Sequence, residues 1–423
     1  MSEMRLEGAQ RLRGRVRVPG DKSGSHRALM LGVLASGSST ITGLSGGEDV
    51  AATARIVTQL GAEVLLESER VIVRGPLKGL RASDDALDCG NSGTSMRLFA
   101  GIVAGIEGRH QLVGDASLSR RPMDRVARPL RLMGAEVEGH GDALTPPLRI
   151  SGAAPLHAID YDVPVVSAQV KSAILFAGLA ADGPTTVREA TRTRSTTEDM
   201  LLEAGVLLRV TNVREGREVT IEPGRPEART WRVPGDPSQA AFFAVLGVVH
   251  RDAQIDIAPI DRTPERVGFV DVLRRMGANL AWGDDGSLRA ETSPLLATEI
   301  WAAEIPSVDE VPALTVAAAA AHGVTAFRNM GELRVKESDR FAGSLALARA
   351  LGCATWSEGD DFYVRGLEDS AAFADLRVEV ELDHRMVMAA AVAALAGHGG
   401  TILGATSVSS SYPTFFEHLA SLQ

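Results

Sequence analysis

The sequence predicts an α/β protein of two similar domains, each holding three repeats in which sheets wrap apolar helices. Three observations lead there: a length beyond one ordinary core, two interleaved motif series with a common period, and Ala-rich runs lacking a polar face. The chain has 423 residues, and single cores stop growing near roughly 250 to 300. Hydrophobic residues make up 45% and charged residues 23%, the balance of a globular protein rather than a disordered or fibrous one.

An apolar amphipathic run that ends at Gly and turns into a short β-branched or apolar stretch marks a helix stopping before a strand. It occurs as RIVTQLGAEV, RPLRLMGAEV, MLLEAGVLL, VLRRMGANL and LARALGCATW. The glycines are Gly61, Gly134, Gly205, Gly277 and Gly352, so the steps are 73, 71, 72 and 75. One further step reaches FFEHLASLQ at the C-terminus, which makes six units. A second series, a polar cluster followed by an apolar helix and then Gly, starts near Lys22, Asn91, Ser167, Asp236, Asp309 and Asp383, with steps of 69, 76, 69, 73 and 74. Two interleaved series of one period indicate internal repeats. Between the helices lie strand-like runs such as VRVP, ERVIVRG, TTVREA, EVTIEP and DFYVRG. Six units over two domains give three each, and helices such as MVMAAAVAALAG are apolar on nearly every face and hence buried. The polar stretch EPGRPEART before Trp231 is the expected boundary, and the first strand, within residues 11–19, could pair with either half.

With 44 Lys+Arg against 54 Asp+Glu, the net charge is −10. Bulk electrostatics therefore argue against a nucleic-acid or anionic-membrane partner, and any anion site must be locally basic. The start, MSEMRLEG, lacks the apolar core of a signal peptide. The most apolar stretches fall short of the roughly 20 residues of a membrane span. Cys89 and Cys353 are the only cysteines and have no metal-site or redox spacing, so the expectation is two buried free thiols, no metal and a cytoplasmic location.

The reactive side chains gather where the repeat helices begin, and helix N-termini carry unpaired N–H groups that favour anions. GDKSGSHR brings Lys22, Ser23 and Arg27; GNSGTSMR brings Asn91, Gly93, Thr94 and Arg97; SAQVKS brings Ser167, Ala168, Gln169 and Lys171. The fifth start brings Asp309 and Glu310, and DHRM brings Asp383, His384 and Arg385. Loops add Arg120, Arg121 and the run ELRVKESDR with Lys336, Glu337, Asp339 and Arg340. Each cluster alone reads as a helix cap or a solvated loop. Their recurrence with Lys or Arg beside the cap shifts the reading toward one basic, dipole-lined interdomain cleft for a small substrate rich in phosphates or carboxylates. Asp309 and Glu337 would sit there among cations as an acid/base pair. His26 and His384 have no second His or Cys at ligand spacing and read as packing or orienting groups.

Taken together and in order, GDKSGSHRAL, GNSGTSMR, SAQVKSA, ELRVKESDR and DHRM resemble the 5-enolpyruvylshikimate-3-phosphate synthases, a branch of the enolpyruvyl transferases. The resemblance implies two similar domains, each of three βαβαββ repeats around buried helices, an inside-out α/β barrel with the active site in the interdomain cleft. It assigns residues 21–232 to a central domain and residues 1–20 with 233–423 to the second. It implies no cofactor, a monomer, and two small-molecule substrates, shikimate 3-phosphate and phosphoenolpyruvate. Lys22, Ser23, Arg27, Ser167, Ala168, Gln169, Arg194, Asp309 and Lys336 would meet shikimate 3-phosphate. Lys22, Gly93, Arg121, Gln169, Arg340 and Arg385 would hold phosphoenolpyruvate, where glyphosate also binds in the family. Asp309 would accept the proton of the attacking 5-hydroxyl, Glu337 would protonate the methylene carbon, and Lys22 would assist. Ser410 stands where many members carry Lys, Ala168 where others have Ser, and Glu332 where others have Asn, features of a bacterial subgroup.

The related UDP-N-acetylglucosamine enolpyruvyl transferases typically carry Lys-Asn where this chain has Lys22-Ser23, and a loop Cys absent from GDASLSRRPMDR. GDKS hints at a phosphate-binding kinase loop, but Asp21 breaks that pattern. A ring-shaped scaffold clamping DNA or a partner would want cations spread over a concave face rather than focused at helix starts beside carboxylates.

Overall fold

A computed structural model describes residues 3–67, 70–213, 216–380 and 382–423. The chain divides into two compact units, one of Lys22–Val233 and the other of the residues up to Asp21 together with Pro234–Gln423. The strand Thr230–Arg232, just past the polar stretch EPGRPEART, pairs in parallel with Ser38–Thr42 and so belongs to the first of these units.

Within Lys22–Val233 there are three four-stranded sheets of one pattern: a parallel pair, then two antiparallel pairings. In one, Leu87–Asp88 pairs in parallel with Gly108–Val113, which pairs antiparallel with Thr145–Gly152, itself antiparallel to Glu136–His140. The parallel pair is joined through the helix Gly93–Ala104, because parallel neighbours need a crossover whereas antiparallel ones can be joined by a hairpin. The sheet containing Asp160–Val163, Thr185–Glu189, Arg217–Ile221 and Leu208–Asn212 repeats this order around the helix Ala168–Gly178.

The other unit has two four-stranded sheets and one three-stranded sheet. Leu12–Val16, the strand the sequence left open between the halves, runs parallel to Ala253–Ile257. The three-stranded sheet pairs Leu376–Glu379 in parallel with Gly399–Leu403 and completes itself with Glu3–Glu7, antiparallel to the latter. That N-terminal strand escaped the sequence reading, since EMRLE has no apolar run.

The helices that follow the first strand of each repeat are the core. Pro237–Val249, Val311–Ala320 and His384–Ala396 are buried at every residue, which explains why they show no polar stripe. Gly93–Ala104 and Ala168–Gly178 pack so closely that a Cβ on Gly101 would lie 2.1 Å from the Ala173 carbonyl oxygen. The helices Glu48–Gln59, Asp124–Leu132, Thr196–Glu203, Gly268–Arg275 and Arg340–Ala350 each end just before a sequence-marked glycine. Gly61, Gly134, Gly205, Gly277 and Gly352 take φ of +108°, +97°, +77°, +94° and +100°, left-handed values at the position just past a helix where Gly carries no Cβ penalty. Among the described residues no helix is long and apolar enough to cross a membrane.

Candidate active site

The buried helices Gly93–Ala104 and Ala168–Gly178 follow the parallel strands Leu87–Asp88 and Asp160–Val163, and helix starts of this kind present exposed backbone N–H groups to ligands. In the unit Lys22–Val233 three of these starts carry the anticipated residues. Ser92 and Ser167 cap Gly93–Ala104 and Ala168–Gly178, accepting from Ser95 N and Val170 N. The cap of the second helix start is thus Ser92, not Asn91, and Asn91 has other work.

Lys22 pairs with buried Asp49. Arg27, 4% exposed, is a clasp between helices: Nε donates to Thr197 Oγ1 at 2.6 Å, Nη2 to Ser172 Oγ at 2.9 Å and Nη1 to the Ser23 carbonyl at 3.0 Å. His26 holds Thr53 Oγ1 at 2.7 Å, and Thr53 continues to Ser95 at 2.8 Å. Burial, with Lys22 and Arg27 adding to it, drives the His26 pKa well below its usual value, so the ring is neutral. Around Gly93, Asn91 donates to Asp115 (2.7 Å) and accepts from Arg121 Nη2 (2.7 Å). Arg97 Nη1 donates to Gln169 Oε1 at 2.7 Å, and Gln169 donates to Thr94 Oγ1 at 3.0 Å. A Cβ on Gly93 would lie 2.8 Å from Arg97 Nη1 and 3.1 Å from Arg121 Nη1. Gly93, Arg121 and Gln169 are therefore brought together, with Arg97 as their common neighbour. Arg194 lies half-buried just ahead of the helix Thr196–Glu203.

In the other unit a single guanidinium organises the group. Arg340 is fully buried and donates Nε and Nη2 to Asp383 (2.8 and 3.2 Å), Nη2 to Glu337 (2.6 Å) and Nη1 to Asp309 (3.0 Å). Arg385 Nη2 stands 3.6 Å from Asp309. Asp309 and Glu337 keep 17% and 19% of their side chains exposed, whereas Asp383 keeps none. Asp383 serves structure: it caps His384–Ala396 and holds Arg340 in a fork. Burial pushes its pKa up, but Arg340 more than offsets this and holds it below the usual carboxylate value. Desolvation lowers the half-buried Lys336 ammonium, with Asp309 opposing the shift. Ser410 bonds His384 Nδ1 at 3.1 Å.

Sequence reasoning missed the partners more than the principals. Asp49, Thr197 and Asp115 were given no role, since each lies far in sequence from the residue it holds. Cys89 and Cys353 are buried, and burial raises both thiols, Cys353 to about 11, so neither is a ready nucleophile.

A family model described as EPSP synthase (3-phosphoshikimate 1-carboxyvinyltransferase) matches residues 6–419. The 3-phosphoshikimate 1-carboxyvinyltransferase of Streptococcus thermophilus is 40% identical over 99% of this chain and 99% of its own. Among solved structures, the EPSP synthase of Acinetobacter baumannii superposes with a TM-score of 0.86 at 36% identity, covering 99% of this chain and 98% of that one. The enolpyruvyl transferase NikO from Streptomyces tendae, at TM-score 0.78 and 20% identity over 99% of this chain and 96% of its own, shares the fold. A family match across nearly the whole chain, a full-length relative at 40% identity and a mixed α/β fold in common lead to one conclusion: the chain belongs to the EPSP synthase family.

Proposed function

We propose that this protein transfers the enolpyruvyl group of phosphoenolpyruvate to the 5-hydroxyl of shikimate 3-phosphate and releases phosphate, the step toward chorismate and the aromatic amino acids. The observation that carries the reading is the Arg340 cluster, in which a buried guanidinium places two partly open carboxylates, Asp309 and Glu337, within reach of one small ligand.

The chemistry asks for such a set. Phosphoenolpyruvate, an enol phosphate, resists attack until its methylene carbon is protonated, which makes C2 cationic and electrophilic. Glu337 would supply that proton, and Asp309 would take the proton of the attacking hydroxyl. Phosphate then leaves the tetrahedral intermediate, and loss of a methyl proton restores the double bond. Arg340 and Arg385 from one unit, and Lys22, Arg121 and the N–H groups at Gly93 from the other, would hold phosphoenolpyruvate. Charge-assisted bonds of this kind orient the anions without taking part in bond making. Lys22, Ser23, Arg27, Ser167, Ala168, Gln169, Arg194 and Lys336 would hold shikimate 3-phosphate, whose phosphate suits the capped start of Ala168–Gly178. Phosphate release by the purified protein tests the reading: it should require both substrates, and release from phosphoenolpyruvate alone would overturn it.

A further inference from the structure

One buried cluster in the unit Lys22–Val233 takes no part in the chemistry above. Lys171, Glu189, Glu198 and Arg217 form it, all nearly or fully buried, with Lys171 at 0% exposure. Lys171 Nζ lies 3.0 Å from Glu189 Oε1 and 2.6 Å from Glu198 Oε1. Arg217 stands 3.9 Å from Glu189 and 3.6 Å from Glu198. Two acids and two bases balance in charge, but their desolvation is costly, and apolar residues of similar volume often serve stability as well or better. What such a cluster offers beyond stability is direction.

The direction leads to the substrate-binding residues. Glu189 accepts from the Thr193 backbone N at 3.1 Å and from Thr193 Oγ1 at 2.6 Å. The three residues between them, 190–192, are exposed, and Thr193 is buried immediately before Arg194. Glu198 fixes the helix Thr196–Glu203 from within, and the residue before it, Thr197, receives Arg27 Nε. Lys171 belongs to the helix that starts at Ala168 and Gln169, and its neighbour Ser172 bonds both Arg27 and Thr197.

We infer that the Lys171–Glu189–Glu198–Arg217 cluster is the positioning centre that sets Arg194, through Thr193, and Arg27, through Thr197 and Ser172, against the anionic groups of shikimate 3-phosphate. The inference rests on the proposed function, because it needs those two arginines to meet that substrate. Thr193 and Glu189 are positioning residues: neither touches substrate, and their effect is read through the arginines.

Thr193→Val tests this with little change of shape, since it removes only the hydroxyl that Glu189 holds. The dissociation constant for shikimate 3-phosphate, measured by calorimetry without phosphoenolpyruvate, should rise about tenfold, the scale of one hydrogen bond to a charged group. The melting temperature should fall by a few degrees, the cost of that one bond to the fold, and Thr193→Ser should restore affinity. Thr186→Val supplies the control, because it removes a hydroxyl bonded to Thr220 on the same sheet, away from the cluster. It should leave affinity unchanged. Unchanged affinity in Thr193→Val, or an equal loss in Thr186→Val, would overturn the inference while an active wild type upheld the function. A wild type that fails to bind shikimate 3-phosphate would overturn both.

Discussion

Asp309 and Glu337 share one guanidinium, yet the proposed mechanism asks them to move protons in opposite directions. Removing the charge of each while keeping its shape separates these roles. Asp309→Asn and Glu337→Gln should each lower kcat by roughly 10²- to 10⁴-fold, the usual contribution of a general acid or base. In deuterated water, turnover by the wild type should place deuterium in the vinyl group of the product, and Glu337→Gln should lose that exchange. Full activity in either variant would remove that residue from the mechanism. Gly93 makes a second prediction. A methyl there lies 2.8 Å from Arg97 Nη1 and 3.1 Å from Arg121 Nη1, and neither guanidinium retreats freely, because Gln169 and Asn91 hold them. Gly93→Ala should therefore raise KM for phosphoenolpyruvate about tenfold, in line with ordinary overpacking. It should weaken glyphosate, the longer ligand, by more. Unchanged constants for both ligands would show that Gly93 does not border that site, and equal losses would show that the methyl does not reach the part that only glyphosate fills. At this scale the sequence displayed the charged principals, because they cluster in short motifs such as KESDR. It hid Asp49, Thr197 and Glu189, whose work depends on contacts made by folding rather than on neighbours in the chain.

Among the elements, the helix ends were the most legible feature, for a physical reason. A helix that must stop and turn at once into a strand needs a residue at positive φ, and Gly meets that need with no steric penalty. Five such glycines at a period near 72 revealed the repeats, and each takes the left-handed conformation. The cost of a side chain there can be measured. At Gly61, φ is +108° and an added Cβ meets only ordinary contacts, the nearest at 3.6 Å, so any penalty is conformational. Gly61→Ala should destabilise its unit by about 1 to 2 kcal/mol and lower its melting temperature by several degrees. Gly224→Ala, where nothing lies within 4 Å of the new atom and φ is not in the positive range, should not. Equal melting temperatures for the two variants would mean the helix stop tolerates a side chain. The elements that stayed hidden were the ones without periodicity. Glu3–Glu7 finds its place only by pairing with Gly399–Leu403, almost the full chain away, and no local propensity marks it. Burial of the Ala-rich helices, in contrast, followed directly from their missing polar face.

For the whole molecule, an acidic chain of net charge −10 sets Lys22, Arg27 and Arg385 in the first turns of core helices, where N–H groups and cations together favour anions, and adds Arg121, Lys336 and Arg340 from other segments. Each unit contributes part of the set: Lys22, Arg27 and Arg121 in one, Lys336, Arg340 and Arg385 in the other, the latter with the two carboxylates. The proposal is that a reaction joining two anionic substrates and moving two protons draws on all of them. Nuclear magnetic resonance of the reaction mixture tests it most directly, with shikimate 3-phosphate or UDP-N-acetylglucosamine as acceptor beside phosphoenolpyruvate. One equivalent of inorganic phosphate and one new enol ether on the 5-oxygen of shikimate 3-phosphate are expected, with no product from the sugar nucleotide. Phosphate without a new enol ether, or transfer to UDP-N-acetylglucosamine, would contradict it.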